Sequence, residues 1–521
     1  MIPLFSTFQV READRYAIEQ LGIHGQVLME NASYQIFEIV RDKILYLGLA
    51  QKIGFVCGKG NNGGDGYAAA RHFYNFGFDV TVISIGDESE MTKDCLSNFR
   101  ILKQLAVKDQ RIRIISYQKI NSLKHLKDCS IIVDAVLGTG VSGSLKEPYD
   151  AIIKNINEID AYKVAVDIPT GLNGDTGSGE IIFKADLTVT LGEFKKGLFI
   201  HDGYANCGDI VKGYIGLGFS YFDKFESEEY LIEPEDVFKH LPVKEKNIHK
   251  YTAGKVLTIA GSTELPGAAA LTAMAVLKSG AGASVVAVPF DAKNYIYKNN
   301  TELVVRSYGK KETSYLTQSS IKDFDEKLSW ADVIVIGPGL GRQMKTQEAI
   351  IEILKANKTA KVVIDADAVF ALSDKKYSSV NLKNSILTPH IAEFAQMIGK
   401  DITEIKKDIF SYGKKFAVEN KTCLVLKGAP TIIFNSSGDA LINTAGNPGM
   451  AKFGTGDVLS GVIGGLLAQS KSIESAVISG VYLHSLAADL LMKDFTVYSF
   501  TAADILNNIP GAFRFIRDTF A

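Results

Sequence analysis

Near the end of the chain, the run Gly454-Thr455-Gly456-Asp457 stands directly before a helical apolar pattern, Asp457–Ala468. Glycines at a helix start leave backbone amides open to an anion, at the positive end of the helix dipole. A carboxylate in that place is expected to be held ionised and to accept a hydroxyl proton. An Asp there also stabilises the helix on its own account, by about 0.3–1 kcal/mol. The Gly-Thr-Gly in register before it favours a phosphate site, with Asp457 as the base. Upstream lie Pro266-Gly267-Ala268-Ala269, Gly337-Pro338-Gly339-Leu340-Gly341, Asp365-Ala366-Asp367, Thr388-Pro389-His390 and Lys427-Gly428-Ala429-Pro430-Thr431. Most of these follow short apolar runs that read as strands. A histidine is more often structural than catalytic, but a proline turn places His390 at a strand end.

A second constellation lies in the first half. Strand Lys52–Cys57 runs into Gly58-Lys59-Gly60-Asn61-Asn62-Gly63-Gly64-Asp65-Gly66, and a helix is expected over Tyr67–Asn75. Such a glycine run permits positive φ and lets amides approach a ligand, and three polar side chains exceed the needs of a plain turn. Ile131–Val136 carries Asp134 and leads to Gly138-Thr139-Gly140-Val141-Ser142-Gly143-Ser144. Val164–Ile168 carries Asp167 and leads to Pro169-Thr170-Gly171. In a doubly wound sheet these strand ends converge on the ligand.

The elements that must position these groups are legible as period and punctuation. With 521 residues, two domains are expected, divided as 1–220 and 221–521. The first opens with helical stretches, Thr7–Leu21 and Gln26–Leu45. β-branched runs then alternate with helices through Val80–Ile85, Arg113–Ser116 and Leu187–Leu191, ending in a strand or hairpin within Gly208–Leu217. Tyr221–Lys250 reads as linker and entry segment. A new alternation follows with Lys255–Ala260, Ala283–Val288, Val333–Ile336, Val362–Asp365, Ser385–Leu387 and Leu424–Lys427. Two long helices, Asp457–Ala468 and Ile473–Leu491, close the chain. The expected fold class is α/β, two doubly wound three-layer domains with parallel sheets covered on both faces.

Composition narrows the function. Lys+Arg 57 against Asp+Glu 59 gives a net charge of −2, so no global field favours nucleic acid or acidic membranes. No apolar stretch reaches the roughly 18–20 residues of a membrane span, and the amino terminus has no signal-peptide pattern. Five scattered cysteines without a C-x-x-C pair fit a reducing cytoplasm. The expectation is a cytoplasmic homo-oligomer acting on small molecules.

The constellation in the first half resembles the YjeF N-terminal family of NAD(P)H-hydrate epimerases, through Asn61–Gly66, Asp134, Gly138–Ser144 and Asp167–Gly171. The resemblance implies that Asn61, Asn62, Gly63, Gly64, Asp65 and Gly138–Ser144 cradle a hydrated dinucleotide, with Asp167 at its reacting ring. It also implies a potassium ion among Asn62, Asp134 and Thr170, where the family often has Ser in place of Thr170. The constellation closed by Gly454–Asp457 resembles the ribokinase-like superfamily and, within it, the NAD(P)H-hydrate dehydratases. That implies Lys427, Gly428, Ala429, Pro430, Thr431 and Gly456 at ADP, and Ala268, Gly341, His390 and Asp457 at the hydrated dinucleotide. Phe453 departs from the small residue usual before Gly-Thr-Gly-Asp and is expected to point away from the phosphate. Together the halves resemble the bifunctional NAD(P)H-hydrate repair family. The implied substrates are NADHX and NADPHX: one half interconverts their R and S forms, and the other dehydrates the S form as ADP becomes AMP and phosphate. Magnesium is expected with the phosphoryl transfer. Two other readings stand beside this one: a ribokinase-like small-molecule hydroxyl kinase fused to a dinucleotide-binding domain, and a dinucleotide-sensing N-terminal module without turnover.

Overall fold

The computed structural model describes residues 1–140, 143–217, 219–222, 224–470 and 472–521. It comprises two compact units, Pro3–Ser227 and Glu228–Ala521, the latter joined by Met1–Ile2. The first unit keeps the chain as far as Ser227 because Phe222 is buried in its core, with Tyr221 and Phe225 packed against it.

In the first unit, seven strands among the described residues form one parallel sheet. Their order is Ile112–Ser116, Asp79–Ser84, Lys52–Cys57, Ile131–Ala135, Tyr162–Val166, Leu187–Leu191 and Asp209–Gly213. The last is a parallel strand and not a hairpin. Successive side chains go to opposite faces: Ile53, Phe55 and Cys57 enter one core, and Val56 enters the other with Ile132 and Ala165. The chain builds outward from Lys52–Cys57 to one edge, then returns to set Ile131–Ala135 on its other side. The crevice of such a sheet lies at that reversal, beyond the carboxyl ends of these two strands.

The glycine-rich segment differs from expectation. The helix begins at Asn61, not Tyr67, and runs to Phe76. Positive φ is not adopted by any glycine from Gly58 to Gly66. These glycines serve close packing instead: a Cβ on Gly63 would stand 2.0 Å from the Gly58 carbonyl oxygen, and one on Gly66 2.5 Å from Ala135 Cβ. The helix start is thereby pressed against the sheet at the crevice. Gly63→Ala has no room on the backbone side, so denaturant unfolding of the first unit should show a loss of about 1–3 kcal/mol.

The second unit contains eleven strands among the described residues, ordered Ile2–Pro3, Glu229–Leu231, Ala440–Asn443, Thr431–Phe434, Cys423–Leu426, Ser385–Leu387, Lys361–Ile364, Val333–Ile336, Lys255–Ile259, Ala283–Pro289 and Val304–Tyr308. From Cys423–Leu426 to Val304–Tyr308 all neighbours are parallel, and the Thr431–Phe434 strand is antiparallel to both its neighbours. The strand order reverses between Lys255–Ile259 and Val333–Ile336. Tyr221–Lys250, expected as linker, contributes the strand Glu229–Leu231 and the helix Pro234–His240, whose capping box uses Glu233 and Asp236.

The helix Thr455–Gln469 packs against the helix Pro266–Lys278 at glycine distance. A Cβ on Gly461 would lie 2.2 Å from the Thr272 carbonyl oxygen, and one on Gly464 2.4 Å from Val335 Cγ2. These contacts fix where the helix start comes to rest. A third closing helix, Ala502–Phe520, passes through Pro510. Proline normally ends a helical pattern, but the buried stripe Ile505, Ile509, Ala512 and Ile516 carries this helix past it.

Two candidate active sites

The first site forms at strand ends of the first unit. Asp167 directly follows Tyr162–Val166 and takes φ 65, a left-handed conformation that Asp tolerates better than most residues. Its Oδ1 accepts from Lys195 Nζ at 2.5 Å and from the Leu191 amide at 3.1 Å. The Lys195 side chain is fully buried, and its Nζ also donates to Thr190 Oγ1 at 3.1 Å and the Leu191 carbonyl at 2.6 Å. A buried ammonium is costly unless paired and hydrogen-bonded, and here all three donors are committed. Burial, with Asp167 and Asp14 adding to it, pushes the Asp65 carboxyl well above the usual carboxylate range.

Asp134 is wholly buried and accepts from the Thr170 amide and hydroxyl, both at 2.7 Å, and from the Val136 amide at 3.2 Å. Burial raises its carboxyl to about 6 against those hydrogen bonds. The Leu137 amide donates to Thr170 Oγ1 at 3.1 Å, and a Cβ on Gly138 would meet Asn62 Cγ at 3.3 Å. Asp134, Thr170 and Asn62 therefore surround one turn. Asn62 Nδ2 is buried there without a hydrogen-bond partner. Asn61 is exposed and accepts from Thr92 Oγ1, whereas Gly63 and Gly64 are buried in the helix packing. Gly140, Gly143 and Ser144 are exposed, with Thr139 half-buried; Val141 and Ser142 lie outside the described residues.

The second site gathers the carboxyl ends of successive parallel strands. After Lys255–Ile259, the Gly261 amide donates to the Pro338 carbonyl at 2.7 Å, tying two loops at the reversal. Gly337 takes φ 128, where a Cβ would fall 1.8 Å from the Asp365 carbonyl, so only glycine fits. A Cβ on Gly339 would meet that of Ala268 at 2.8 Å, which puts Ala268 beside this loop. The Gly341 amide donates to Asp367 Oδ2 at 2.8 Å, and Arg342 Nε donates to Asp367 Oδ1 at 3.1 Å. Between the two carboxylates Ala366 takes φ 47, a strained conformation for a residue with a Cβ, of the kind found at functional sites.

Lys427 Nζ donates to Asp365 Oδ1 at 2.7 Å, and Ser460 Oγ donates to Asp365 Oδ2 at 2.5 Å. Burial lowers the Lys427 pKa, but Asp365, Glu393 and Asp457 outweigh it and hold the ammonium charged. Gly456 is close by: a Cβ there would lie 3.5 Å from Lys427 Nζ. His390 caps the helix Ile391–Ile398, its Nδ1 accepting from the Glu393 amide at 3.1 Å, and its ring is exposed. Gly428 and Ala429 are exposed, Pro430 is buried, and Thr431 Oγ1 donates to the Gly428 carbonyl at 3.2 Å. Phe453 is fully exposed.

Asp457 corrects an expectation. Burial raises its carboxyl to about 7, Asp365 and Asp367 add to that, and Lys427 opposes it. The helix start does not hold it firmly ionised; the group is poised near neutrality, where a general base works best. The kcat/KM for any reaction using this base should rise with pH through about 7 and then level off. Asp365 raises that value, so Asp365→Asn should move the rising limb to lower pH, as a pH–rate profile would show.

Lys195 and Asp14 in the first site, and Ser460 in the second, were not singled out from sequence. Lys195 had a usable signal, since it lies four residues beyond the strand Leu187–Leu191 on the same edge as Asp167.

A family model described as YjeF-related protein N-terminus matches residues 25–197, and one described as NAD(P)H-hydrate dehydratase matches residues 256–511. A bifunctional NAD(P)H-hydrate repair enzyme of Moorella thermoacetica is 33% identical over 99% of this chain and 97% of its own. That of Archaeoglobus fulgidus is 35% identical over 95% of each. The chain belongs to the bifunctional NAD(P)H-hydrate repair enzyme family. A solved ribokinase-like superfamily protein of Enterococcus faecalis matches 56% of this chain and 97% of its own, at 26% identity and TM-score 0.50. In this repair family member, the second unit is the ribokinase-like fold and the first is the YjeF N-type sheet.

Proposed function

We propose that this chain repairs hydrated NADH and NADPH, the first unit epimerising the R and S forms and the second dehydrating the S form. Membership of the repair family supports both halves. The observation that carries the mechanism is Asp457, poised at about 7 beside the Lys427–Asp365 pair at a helix start. Hydroxide leaves poorly and phosphate leaves well. Asp457 takes the proton of the C6 hydroxyl, whose oxygen attacks the terminal phosphorus of ADP; the bond to the bridging oxygen breaks and AMP departs. Lys427 and the first amides of the helix Thr455–Gln469 balance the charge on the transferring group. The ring nitrogen lone pair then expels phosphate, and loss of a ring proton restores the dihydronicotinamide.

Ala268, Gly341 and His390 are assigned to the hydrated dinucleotide, and Lys427–Thr431 with Gly456 to ADP. In the first unit, Asn61–Asp65 and Gly138–Ser144 are assigned to the dinucleotide and Asp167 to its C6 hydroxyl. The oxygen set of Asp134, Thr170 and Asn62 suits potassium, which when bound supplies positive charge beside a buried carboxylate. Magnesium is assigned to the dehydratase reaction, where phosphoryl transfer calls for it. No helix among the described residues is long and apolar enough to cross a membrane. The five buried unpaired cysteines fit the reducing cytoplasm assigned here.

The same helix start would serve a hydroxyl kinase, and the fate of the phosphate separates the two. Incubation with S-NADHX and ADP should give AMP, free phosphate and NADH in equal amounts. Phosphate retained on the organic product would make the second unit a kinase.

A further inference from the structure

The first site contains one acid that the reading above leaves unused. Asp14 lies on the helix Thr7–Glu19, sharing its inward face with Thr7, Val10 and Ala17 at helical spacing. The start of this helix is pinned at the sheet's carboxyl edge. The Thr7 amide and hydroxyl donate to the two oxygens of Asp175 at 2.7 Å each. Just before it, the Phe5 amide donates to the Phe194 carbonyl and the Lys196 amide to the Phe5 carbonyl, which straddles Lys195. Asp14 is thereby carried within range of the charges of the Asp167–Lys195 pair, and its Oδ1 is buried without any hydrogen-bond partner.

The groups facing it are few: Lys195 beside the strand Leu187–Leu191, Asp167 after Tyr162–Val166, and Asp65 on the helix Asn61–Phe76. Glu12 and Arg15 of its own helix pair with each other. Burial is the main cause raising Asp14 to about 6, with Lys195 opposing and Asp167 assisting. Lys195 has no donor to spare, since its three are taken by Asp167, Thr190 and Leu191. With Asp14 protonated, Asp167 is locked to the ammonium. With Asp14 ionised, a second carboxylate draws on the same ammonium.

We propose that Asp14 is a positioning residue of the epimerase site, whose carboxylate competes with Asp167 for the buried Lys195 ammonium and so frees Asp167 to bond the substrate hydroxyl. The proposal rests on the epimerase reading of the first unit. As pH rises through about 6 Asp14 becomes charged, and its contribution appears above that value and not below it.

The test is the pH dependence of R-to-S epimerisation in wild type, Asp14→Asn and Asp14→Glu, with dehydration of pure S-NADHX by the same samples as the reference. The ratio of wild-type to Asp14→Asn kcat should be near unity at pH 5 and grow to about tenfold at pH 8, the scale of one charge removed beside another in a half-buried setting. KM should hold, and Asp14→Glu should restore most of the rate at pH 8. A ratio that does not change with pH, or an Asp14→Asn enzyme as fast as wild type at pH 8, overturns the proposal. A wild-type enzyme that does not epimerise at any pH would overturn the epimerase reading itself.

Discussion

Replacing Asp457 by Asn removes dehydration while leaving epimerisation at its wild-type rate. The carboxyl is half-buried near Asp365 and Lys427, and Asn keeps its size but cannot take a proton. A general base is worth about 10²–10⁴ in rate, so recovery of NADH from S-NADHX should fall by at least about a hundredfold. Removing a carboxylate that burial opposes should leave the second unit at least as stable, so the loss is kinetic. The check is a paired assay of one preparation: NADH recovery with ADP by absorbance, and R–S interconversion by chromatography. Equal loss of both activities would count against Asp457 as a base local to the second unit.

The converse variant is Asp167→Asn. Its Oδ1 holds the buried Lys195 ammonium at 2.5 Å, and its backbone sits at φ 65, a conformation Asn shares readily. The exchange keeps the backbone but leaves Lys195 facing a neutral amide. Epimerisation should fall by about 10²-fold or more, while dehydration of pure S-NADHX continues unchanged. Uncoupling a buried pair is also destabilising, so circular dichroism of the first unit belongs with the assay. An Asp167→Asn enzyme that interconverts the epimers at the normal rate would remove Asp167 from the chemistry.

Much of the scaffold was legible because buried parallel strands are uninterrupted apolar runs. Lys52–Cys57, Leu187–Leu191, Val333–Ile336 and Ser385–Leu387 fall where the sequence puts them, as does the helix Ile473–Leu491. The failures have specific causes. Asn61–Gly66 reads as a loop because three glycines and two asparagines disfavour helix, yet contact with Gly58 and Ala135 demands residues without side chains. Ala502–Phe520 is obscured by Pro510. The strand Thr431–Phe434 begins within the segment Lys427–Thr431 that reads as a nucleotide loop, which hides it and its partner Ala440–Asn443.

At the sites, single residues were legible and their pairing was not. Asp167 and Asp457 stand out beside glycine motifs. That Asp167 meets Lys195, and that Asp365 stands near Asp457, depends on which strands become neighbours. The protonation of Asp457 follows from that neighbourhood and from burial, which is why the sequence suggests a carboxylate held ionised and the fold delivers one poised near 7.

The most direct test of two-site repair is to incubate the full chain with a mixture of R- and S-NADHX, with and without ADP, and to follow the recovery of NADH. With ADP, wild type should return the whole mixture to NADH, whereas Asp167→Asn should quickly return only the S fraction; without ADP neither should return any. Recovery of NADH without nucleotide, or a wild-type reaction that stops at the S fraction, would contradict the account.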